Sequence, residues 1–322
     1  MLAMTVSGGS LTAAQVPEPA PGPDEVLIAV AAAGVNRADL LQVAGHYPPP
    51  QGAPAWPGLE VSGTIVDVGS ADNATLLGAE VCALLPGGGY AQFAAVDAGL
   101  VLPVPENVDV VDAAGLPEAA ATVYSNLGYL LGEEAPGKRR VLVHGGAGGI
   151  GTFAVQFAKQ LAGAETWTTA RGEHAKQLEA LGADRVVDYR SEDFAALSQE
   201  AGGADAILDV IGAAYFEPNL KALAQDGRLA IIGLQKGNAA QIHLGGLLAK
   251  RATITGTTLR ARPLEQRRQI LAEVFEHVWP ALDTGDIKPV VTTRLPLTDA
   301  AEAHRLMAAG GHFGKIVLTA KS

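Results

Sequence analysis

A short run of glycines carries the clearest chemical signal in the sequence. Residues 141–144 form an apolar run typical of a strand, four glycines lie between Gly145 and Gly149, and apolar residues then recur at helical spacing. Glycines there let a pyrophosphate approach the backbone closely, and Gly151 lets the helix pack against the strand. The N–H groups at the helix start would hold the anion. Because a strand precedes the turn and a helix follows it, the stretch predicts a dinucleotide-binding site.

The end of the next strand distinguishes the two nicotinamide dinucleotides. A fold selective for NAD usually carries Asp or Glu there, to bond the ribose 2′-hydroxyl. This chain has Ala170 followed by Arg171, whose guanidinium suits a 2′-phosphate. The sequence therefore predicts NADPH as the cofactor. The alternative is that Arg171 is an ordinary solvated loop residue.

Alternating strands and helices must position this turn. Strand-type segments at 141–144, 166–170, 185–188, 206–210, 228–233 and 252–256 alternate with helical segments, which predicts a doubly wound parallel sheet of the Rossmann type. Residues before Val104 read instead as short β runs separated by Pro and Gly. A further strand-type run ends the chain at 313–318, so we expect the C-terminus to return to the first domain. The predicted domains are 1–116 completed by 260–322, mostly β, and 117–259, the dinucleotide fold.

Composition excludes several classes of protein. The chain of 322 residues is 48% hydrophobic and 18% charged, as expected of a compact protein. Its net charge of -11 opposes binding to nucleic acid, and no apolar run is long enough for a membrane span. The single cysteine, Cys82, rules out an intrachain disulfide and predicts an inert buried thiol. We expect a cytoplasmic protein, since the N-terminus shows no export signal.

Several motifs together resemble the medium-chain dehydrogenases/reductases, and in particular their zinc-free NADPH quinone oxidoreductase branch, which includes zeta-crystallin. The resemblance covers essentially the whole chain and implies a GroES-like catalytic domain beside the Rossmann domain. The segments that carry it are 34–40, 45–48, 57–63, 122–127, the turn 145–151, 255–262 and 312–317.

The same resemblance indicates that the catalytic zinc of related alcohol dehydrogenases is missing. Those enzymes hold the metal with a Cys aligned with Asn36, a His aligned with Leu59 and a further Cys. Neither Asn36 nor Leu59 suits zinc, which normally takes three His, Cys or carboxylate ligands from the protein. The prediction is therefore no metal, and an acceptor that is already electrophilic.

We expect Tyr47 and Asn36 to line the substrate cleft. We expect the Tyr47 hydroxyl and the Asn36 amide to stabilise the developing oxyanion. The alternative for Tyr47 is a packing role in its Pro-rich loop. Glu60 and Asp39 are expected to form structural pairs, with Arg37 as a partner, and Arg260 is expected in a surface or domain-bridging ion pair.

Cofactor contacts follow position by position from the resemblance. His174 stands where relatives commonly carry a Lys that binds the 2′-phosphate together with a Tyr matching Tyr189. A neutral imidazole would hold that phosphate less firmly. The full set of implied contacts is Thr122, Gly148, Gly149, Ile150, Arg171, His174, Tyr189, Gly233, Leu234, Gln235 and Lys315.

The implied activity is hydride transfer from NADPH to a quinone. An enal or enone double-bond reductase needs the same hydride geometry and stays open as an alternative. Outside enzymes, an NADPH-binding structural or RNA-binding role like that of zeta-crystallin relatives is the alternative, although the acidic charge balance disfavours RNA. The resemblance also implies a homodimer that pairs through edge strands of the nucleotide fold.

Overall fold

The computed structural model of the protein describes residues 1–132 and 139–320. Within those ranges the strands are β1 Leu2–Ser7, β2 Ser10–Gln15, β3 Glu25–Gly34, β4 Glu60–Val68, β5 Glu80–Leu84, β6 Phe93–Asp97, β7 Val101–Pro103, β8 Arg140–His144, β9 Glu165–Ala170, β10 Arg185–Asp188, β11 Ala204–Asp209, β12 Leu223–Ile231, β13 Thr253–Gly256, β14 Val291–Pro296 and β15 Lys315–Thr319.

The α-helices of the same ranges are α1 Arg37–Val43, α2 Val110–Ala113, α3 Pro117–Leu127, α4 Gly149–Gln156, α5 Ala175–Ala180, α6 Phe194–Glu200, α7 Ala213–Ala222, α8 Leu244–Lys250, α9 Leu264–His277, α10 Trp279–Thr284 and α11 Ala300–Ala309. Short 3₁₀ turns occur at Ala71–Leu76, Ala98–Leu100, Gly128–Leu131, Gly172–His174 and Leu297–Asp299, and α4 continues into a π turn at Phe157–Leu161. None of the described helices is long and apolar enough to cross a membrane.

The chain divides into two compact units. The first comprises Met1–Ala121 and Arg260–Ser322, and the second comprises Thr122–Leu259. The sequence predicted divisions after residues 116 and 259. The units divide after Ala121, which lies inside α3, and after Leu259.

The second unit is built on a six-stranded sheet in the order β10-β9-β8-β11-β12-β13, and every neighbouring pair is parallel. Strand order reverses direction at β8, the strand that leads into the glycine turn. One side of the sheet is covered by α6 and α7, whose apolar residues pack on Leu142, Trp167, Val187, Ile207 and Leu229. This sheet and the separate sheet of the first unit confirm the predicted fold class.

The first unit contains a seven-stranded sheet in the order β14-β15-β3-β4-β5-β7, with β6 paired to β3. The long strand β3 is central because it is apolar and buried along nearly its whole length. The last strand, β15, pairs antiparallel with β3, with Val317 opposite Gly34, so the C-terminal segment is part of this unit. Cys82 on β5 is fully buried, and burial raises the pKa of its thiol far above the usual range.

Candidate functional site

The glycine turn of the second unit follows β8 directly and opens α4. Gly145 has φ +71°, a conformation that favours glycine. A Cβ atom on Gly151 would lie 2.2 Å from the Gly145 carbonyl oxygen, so only glycine permits this closeness of helix and turn. No side chain caps α4 at Gly148. The N–H groups of the first turn of α4 are therefore available as donors, which suits a pyrophosphate.

The other cofactor positions of this unit lie at the same edge of the sheet. Arg171 follows β9, Tyr189 follows β10, and the segment 233–235 follows β12. Parallel strands end at a common edge, which is where ligands of doubly wound folds bind. Gln235 is fixed by its N–H, which donates to the Val210 carbonyl at 3.3 Å. Thr122, at the start of this unit, lies on α3.

The structure brings Arg171 and Tyr189 together but turns His174 inward. Contact with the Tyr189 side chain raises the pKa of Arg171. His174 is only 8% exposed, with Nδ1 3.2 Å from Gln177 Oε1 and Nε2 3.7 Å from Glu173 Oε1. These contacts occupy the imidazole with neighbouring side chains. Its assignment to the phosphate site stays a prediction.

A buried polar chain lies beside the turn. His144 Nδ1 is 3.0 Å from Thr169 Oγ1, and its Nε2 is 2.7 Å from Asn219 Oδ1. Asn219 in turn donates to Asp209, which also accepts the backbone N–H of Ile211 at 2.6 Å. Burial lowers the pKa of His144 to about 4 and raises that of Asp209 to about 6. The neutral imidazole and its partners thus hold the ends of β8 and β11.

The first unit contains a buried ionic cluster centred on Glu60. This carboxylate is fully buried and accepts hydrogen bonds from the Lys315 ammonium and from Asn36 Nδ2, the latter at 2.9 Å. Its other oxygen accepts the backbone N–H of Glu118 at 2.9 Å. The prediction that Glu60 pairs with Arg37 is wrong. Lys315 lies 255 residues away in sequence. It reaches Glu60 because β15 pairs with β3, which in turn pairs with β4, the strand that begins at Glu60.

These contacts define what Asn36 and Lys315 do within the unit. Lys315 Nζ also donates to Asn36 Oδ1 at 2.9 Å and lies 3.3 Å from the Val35 carbonyl. Its three protons thus have three acceptors inside the unit, and its assignment as a cofactor contact stays a prediction. Asn36 bridges Lys315 and Glu60 and keeps one amide N–H outside these contacts.

A second buried chain begins at Asp39, on the first turn of α1. Its carboxylate accepts the backbone N–H of Asn36 at 2.8 Å, that of Gly58 at 2.9 Å and the Tyr90 hydroxyl at 3.1 Å. The Tyr90 oxygen lies 3.1 Å from His304 Nε2. Burial raises the pKa of Asp39 to about 6, against these hydrogen bonds, and lowers that of His304 to about 4. Asp39 therefore also has partners other than Arg37.

Tyr47 and Arg260 form a separate pair in this unit. The Arg260 guanidinium lies over the Tyr47 ring, 5.1 Å from its centroid, and its Nε donates to the Pro86 carbonyl at 2.7 Å. Arg260 is buried, so the expected surface ion pair is wrong, whereas the domain-bridging alternative stays a prediction. Among the described residues nothing hydrogen-bonds the partly exposed Tyr47 hydroxyl. Burial raises the pKa of Tyr47, with Glu118 adding to the effect, so the phenol keeps its proton at neutral pH.

Glu118 and Arg260 are two charged residues of this region whose placement the sequence did not reveal. Burial, and then the neighbouring Glu60 charge, raises the pKa of Glu118 to about 8. The only sequence signal was the position of Glu118 just after Pro117, at the start of a helix.

The residues present do not fit a zinc site. Asn36 offers an amide that is already bridged, and Leu59 is apolar and buried. Within residues 1–132 and 139–320, no group of three His, Cys, Asp or Glu side chains is placed to hold a metal ion. No step of the chemistry is therefore assigned to zinc.

Comparison with known families matches most of the chain. Residues 22–106 match the alcohol dehydrogenase GroES-like domain, and residues 181–318 match the zinc-binding dehydrogenase family. The rat quinone oxidoreductase is 30% identical over 310 residues, which cover 93% of this chain and 90% of that protein. A phenolphthiocerol/phthiocerol polyketide synthase of Mycobacterium tuberculosis is 35% identical over 309 residues, which cover 93% of this chain. This chain spans only 14% of that synthase.

Solved structures show the same likeness. The mycobacterial protein Rv1454c complexed with NADPH has a TM-score of 0.83 at 32% identity, covering 99% of both chains. The quinone oxidoreductase of Escherichia coli complexed with NADPH has a TM-score of 0.84 at 26% identity, covering 99% of this chain and 98% of that one. The CurK enoyl reductase has a TM-score of 0.85 at 26% identity with the same coverage.

Proposed function

The chain belongs to the quinone oxidoreductase branch of the medium-chain dehydrogenases/reductases, and from that premise we propose that it reduces a quinone by direct, zinc-independent hydride transfer from NADPH. The relatives and the NADPH complexes support an oxidoreductase of this family that uses NADPH. The quinone, and the absence of zinc from the reaction, are the proposal.

The residues at the carboxyl edge of the parallel sheet fit NADPH. The uncapped start of α4 at Gly149 and Ile150 would hold the pyrophosphate, and Arg171 with Tyr189 would hold the 2′-phosphate. Gly233, Leu234 and Gln235, with Thr122, would lie by the nicotinamide. When bound, the cofactor supplies a hydride from C4 of its nicotinamide.

The observation that carries the proposal is the Tyr47 hydroxyl. It is protonated, partly exposed and bonded to no other described residue, and its ring is fixed by Arg260. A quinone that accepts a hydride becomes an oxyanion, and one further proton completes the hydroquinone. Tyr47 stabilises that oxyanion by donating a hydrogen bond. Asn36 contributes its remaining amide N–H while its other contacts hold it in place.

An enal or enone double-bond reductase is the alternative, and the likeness to the CurK enoyl reductase favours it. The same hydride would then be transferred to carbon, with the oxyanion forming as an enolate. Tyr47 would serve that oxygen equally well, so the site residues do not decide between the two acceptors.

Steady-state turnover against four acceptors tests the proposal. NADPH oxidation is followed with an ortho-quinone, a para-quinone, a 2-alkenal and a saturated aldehyde, before and after treatment with a metal chelator. We expect quinone turnover that the chelator leaves unchanged. A higher kcat/KM for the alkenal would establish the alternative, and aldehyde reduction that the chelator abolishes would overturn both.

The non-enzyme alternative is an NADPH-binding structural or RNA-binding protein of the zeta-crystallin kind. The net charge of -11 speaks against RNA. Tight NADPH binding without turnover of any acceptor in the panel would support this alternative.

We propose a homodimer formed through the edge of the second unit's sheet. Strand β13 is the end strand of that sheet, and the helix before it, α8, exposes Leu244 and Leu248. A second copy that pairs there would cover both the strand edge and the apolar side chains. We also propose a cytoplasmic location, consistent with a single, buried cysteine.

A further inference from the structure

Three chain segments of the second unit meet around Tyr189. The tyrosine follows β10 and is 39% exposed, so its side chain is open to a ligand. Arg171, after β9, contacts it from one strand end. Lys236, in the loop after β12, places its Nζ 5.8 Å from the centroid of the Tyr189 ring. All three residues lie at the carboxyl edge of the sheet, where the dinucleotide turn also lies.

The position of Lys236 is fixed by its backbone. Its N–H donates to the Ile211 carbonyl at 2.8 Å, and its carbonyl accepts the N–H of Ala214 at 3.2 Å. These bonds attach the loop to the start of α7. The lysine therefore reaches Tyr189 from an anchored loop, which lowers the entropy lost when its ammonium is ordered by a ligand.

The charges around Tyr189 are mainly positive. Among the described residues, the ammonium of Lys236 is paired with no carboxylate. Arg171 Nη1 lies 3.6 Å from Glu173 Oε1. The arrangement thus offers one cation over the Tyr189 ring and a second that hydrogen-bonds the Tyr189 side chain. The Asp188 carboxylate beside them accepts the backbone N–H groups of Gly172 and Arg190 at 3.1 Å each.

A phosphate monoester carries between one and two negative charges at neutral pH and is best bound by more than one cation. His174 stands where relatives commonly carry a lysine. It is buried, and its ring nitrogens lie near the side chains of Gln177 and Glu173. A second cation for this phosphate must therefore come from another segment of the chain.

We propose that Lys236 is the second cation of the 2′-phosphate site and, with Arg171, selects NADPH over NADH. In this site the Tyr189 side chain lies between Lys236 and Arg171. The inference concerns the cofactor alone, so it does not depend on whether the acceptor is a quinone or an activated alkene.

Direct binding measurements test this without any turnover. Adenosine 2′,5′-bisphosphate and AMP differ by the 2′-phosphate alone and are titrated calorimetrically into the wild type and Lys236→Met, which keeps the apolar stem but removes the charge. We expect about tenfold weaker binding of the bisphosphate and unchanged binding of AMP. Lys236→Arg should restore most of the affinity, and added salt should narrow the difference between wild type and Lys236→Met.

The control is Lys221→Met, which removes one exposed positive charge from α7 of the same unit, outside this group of residues. It should leave both affinities unchanged. Equal weakening of bisphosphate and AMP in Lys236→Met, or no weakening of either, would overturn the proposal. A thermal melt of each variant shows that the protein tested is folded.

Discussion

The cofactor edge of the second unit and the ionic cluster of the first unit are built in opposite ways. The edge uses backbone N–H groups and exposed cations on successive strand ends, such as the start of α4 and Arg171. The cluster uses buried side chains from distant segments, with Glu60, Asn36 and Lys315 in mutual contact. The first region is thus organised for a ligand, whereas the second is mainly organised for its own stability.

Removing one partner of the buried ion pair should give the largest effect. Lys315→Met leaves the Glu60 carboxylate buried with one charged partner fewer, which we expect to lower the free energy of unfolding by about 3–5 kcal/mol. Chemical denaturation measures this. The control Lys159→Met breaks the half-exposed pair with Asp184 and should cost about 0–1 kcal/mol.

The same variant tests whether Lys315 also contacts the cofactor. If Lys315 serves only the first unit, NADPH affinity measured on folded Lys315→Met should equal that of the wild type. A selective loss of NADPH affinity with unchanged stability would instead favour the cofactor contact implied by the family.

Tyr47→Phe removes one hydroxyl from the first unit and should lower kcat for the preferred acceptor about a hundredfold, the usual cost of losing one oxyanion donor. NADPH affinity should not change, since the Tyr47 hydroxyl is assigned to the acceptor and not to the cofactor. Steady-state kinetics and a binding titration check the two halves of this prediction. Tyr129→Phe, in the second unit, is the control, and wild-type turnover by Tyr47→Phe would reduce Tyr47 to a packing residue.

Gly151→Ala tests the backbone character of the cofactor edge. The new methyl group would lie 2.2 Å from the Gly145 carbonyl oxygen, so the turn must shift, at a cost of about 1–3 kcal/mol in stability. NADPH affinity should fall with it. Gly246→Ala adds a methyl group to α8 with no atom within 4 Å, so it should leave NADPH affinity unchanged and should not lower the stability. Normal affinity in Gly151→Ala would contradict the role given to the turn.

The last prediction is a pH dependence of stability that arises from Glu118 in the first unit. Its pKa is about 8 in the folded protein against an ordinary value of 4.5, so the folded state holds a proton that the unfolded state releases. This contribution to stability is complete below pH 4.5 and is lost as the pH rises through 8, at most about 1.4 kcal/mol per pH unit.

Denaturation at pH 6.5, 7.5 and 8.5 measures that dependence. Glu118→Gln should flatten the decline seen in the wild type, whereas Glu276→Gln, at an exposed position of α9, should not. Identical slopes in all three proteins would show that Glu118 does not hold the proton.

The difference between the regions also explains how much the sequence could predict. Local patterns placed the strand, turn and helix around Gly145 and the alternating strands of the sheet, because each depends on neighbours in sequence. The partner of Glu60 could not be predicted in this way, since Lys315 reaches it only after β15 joins the sheet. Lys236 was missed for the same reason, because its contact with Tyr189 joins two loops from separate strands.

The resemblance added residues that no local pattern supports, Tyr47 and Asn36 among them. The structure shows Tyr47 with an unbonded hydroxyl and Asn36 with most of its amide already bonded. Their roles in the reaction stay predictions until the variants are measured.

A single-turnover experiment with NADPH deuterated at C4 on its transferred side tests whether the hydride passes directly to the quinone without zinc. Chelator-treated enzyme is mixed with one equivalent of a para-quinone, and the loss of nicotinamide absorbance is compared with that for unlabelled NADPH. We predict a slower reaction with the deuterated cofactor, at a rate that added zinc does not change. Oxidation that begins only when zinc is restored, or that shows no isotope effect, would contradict direct hydride transfer.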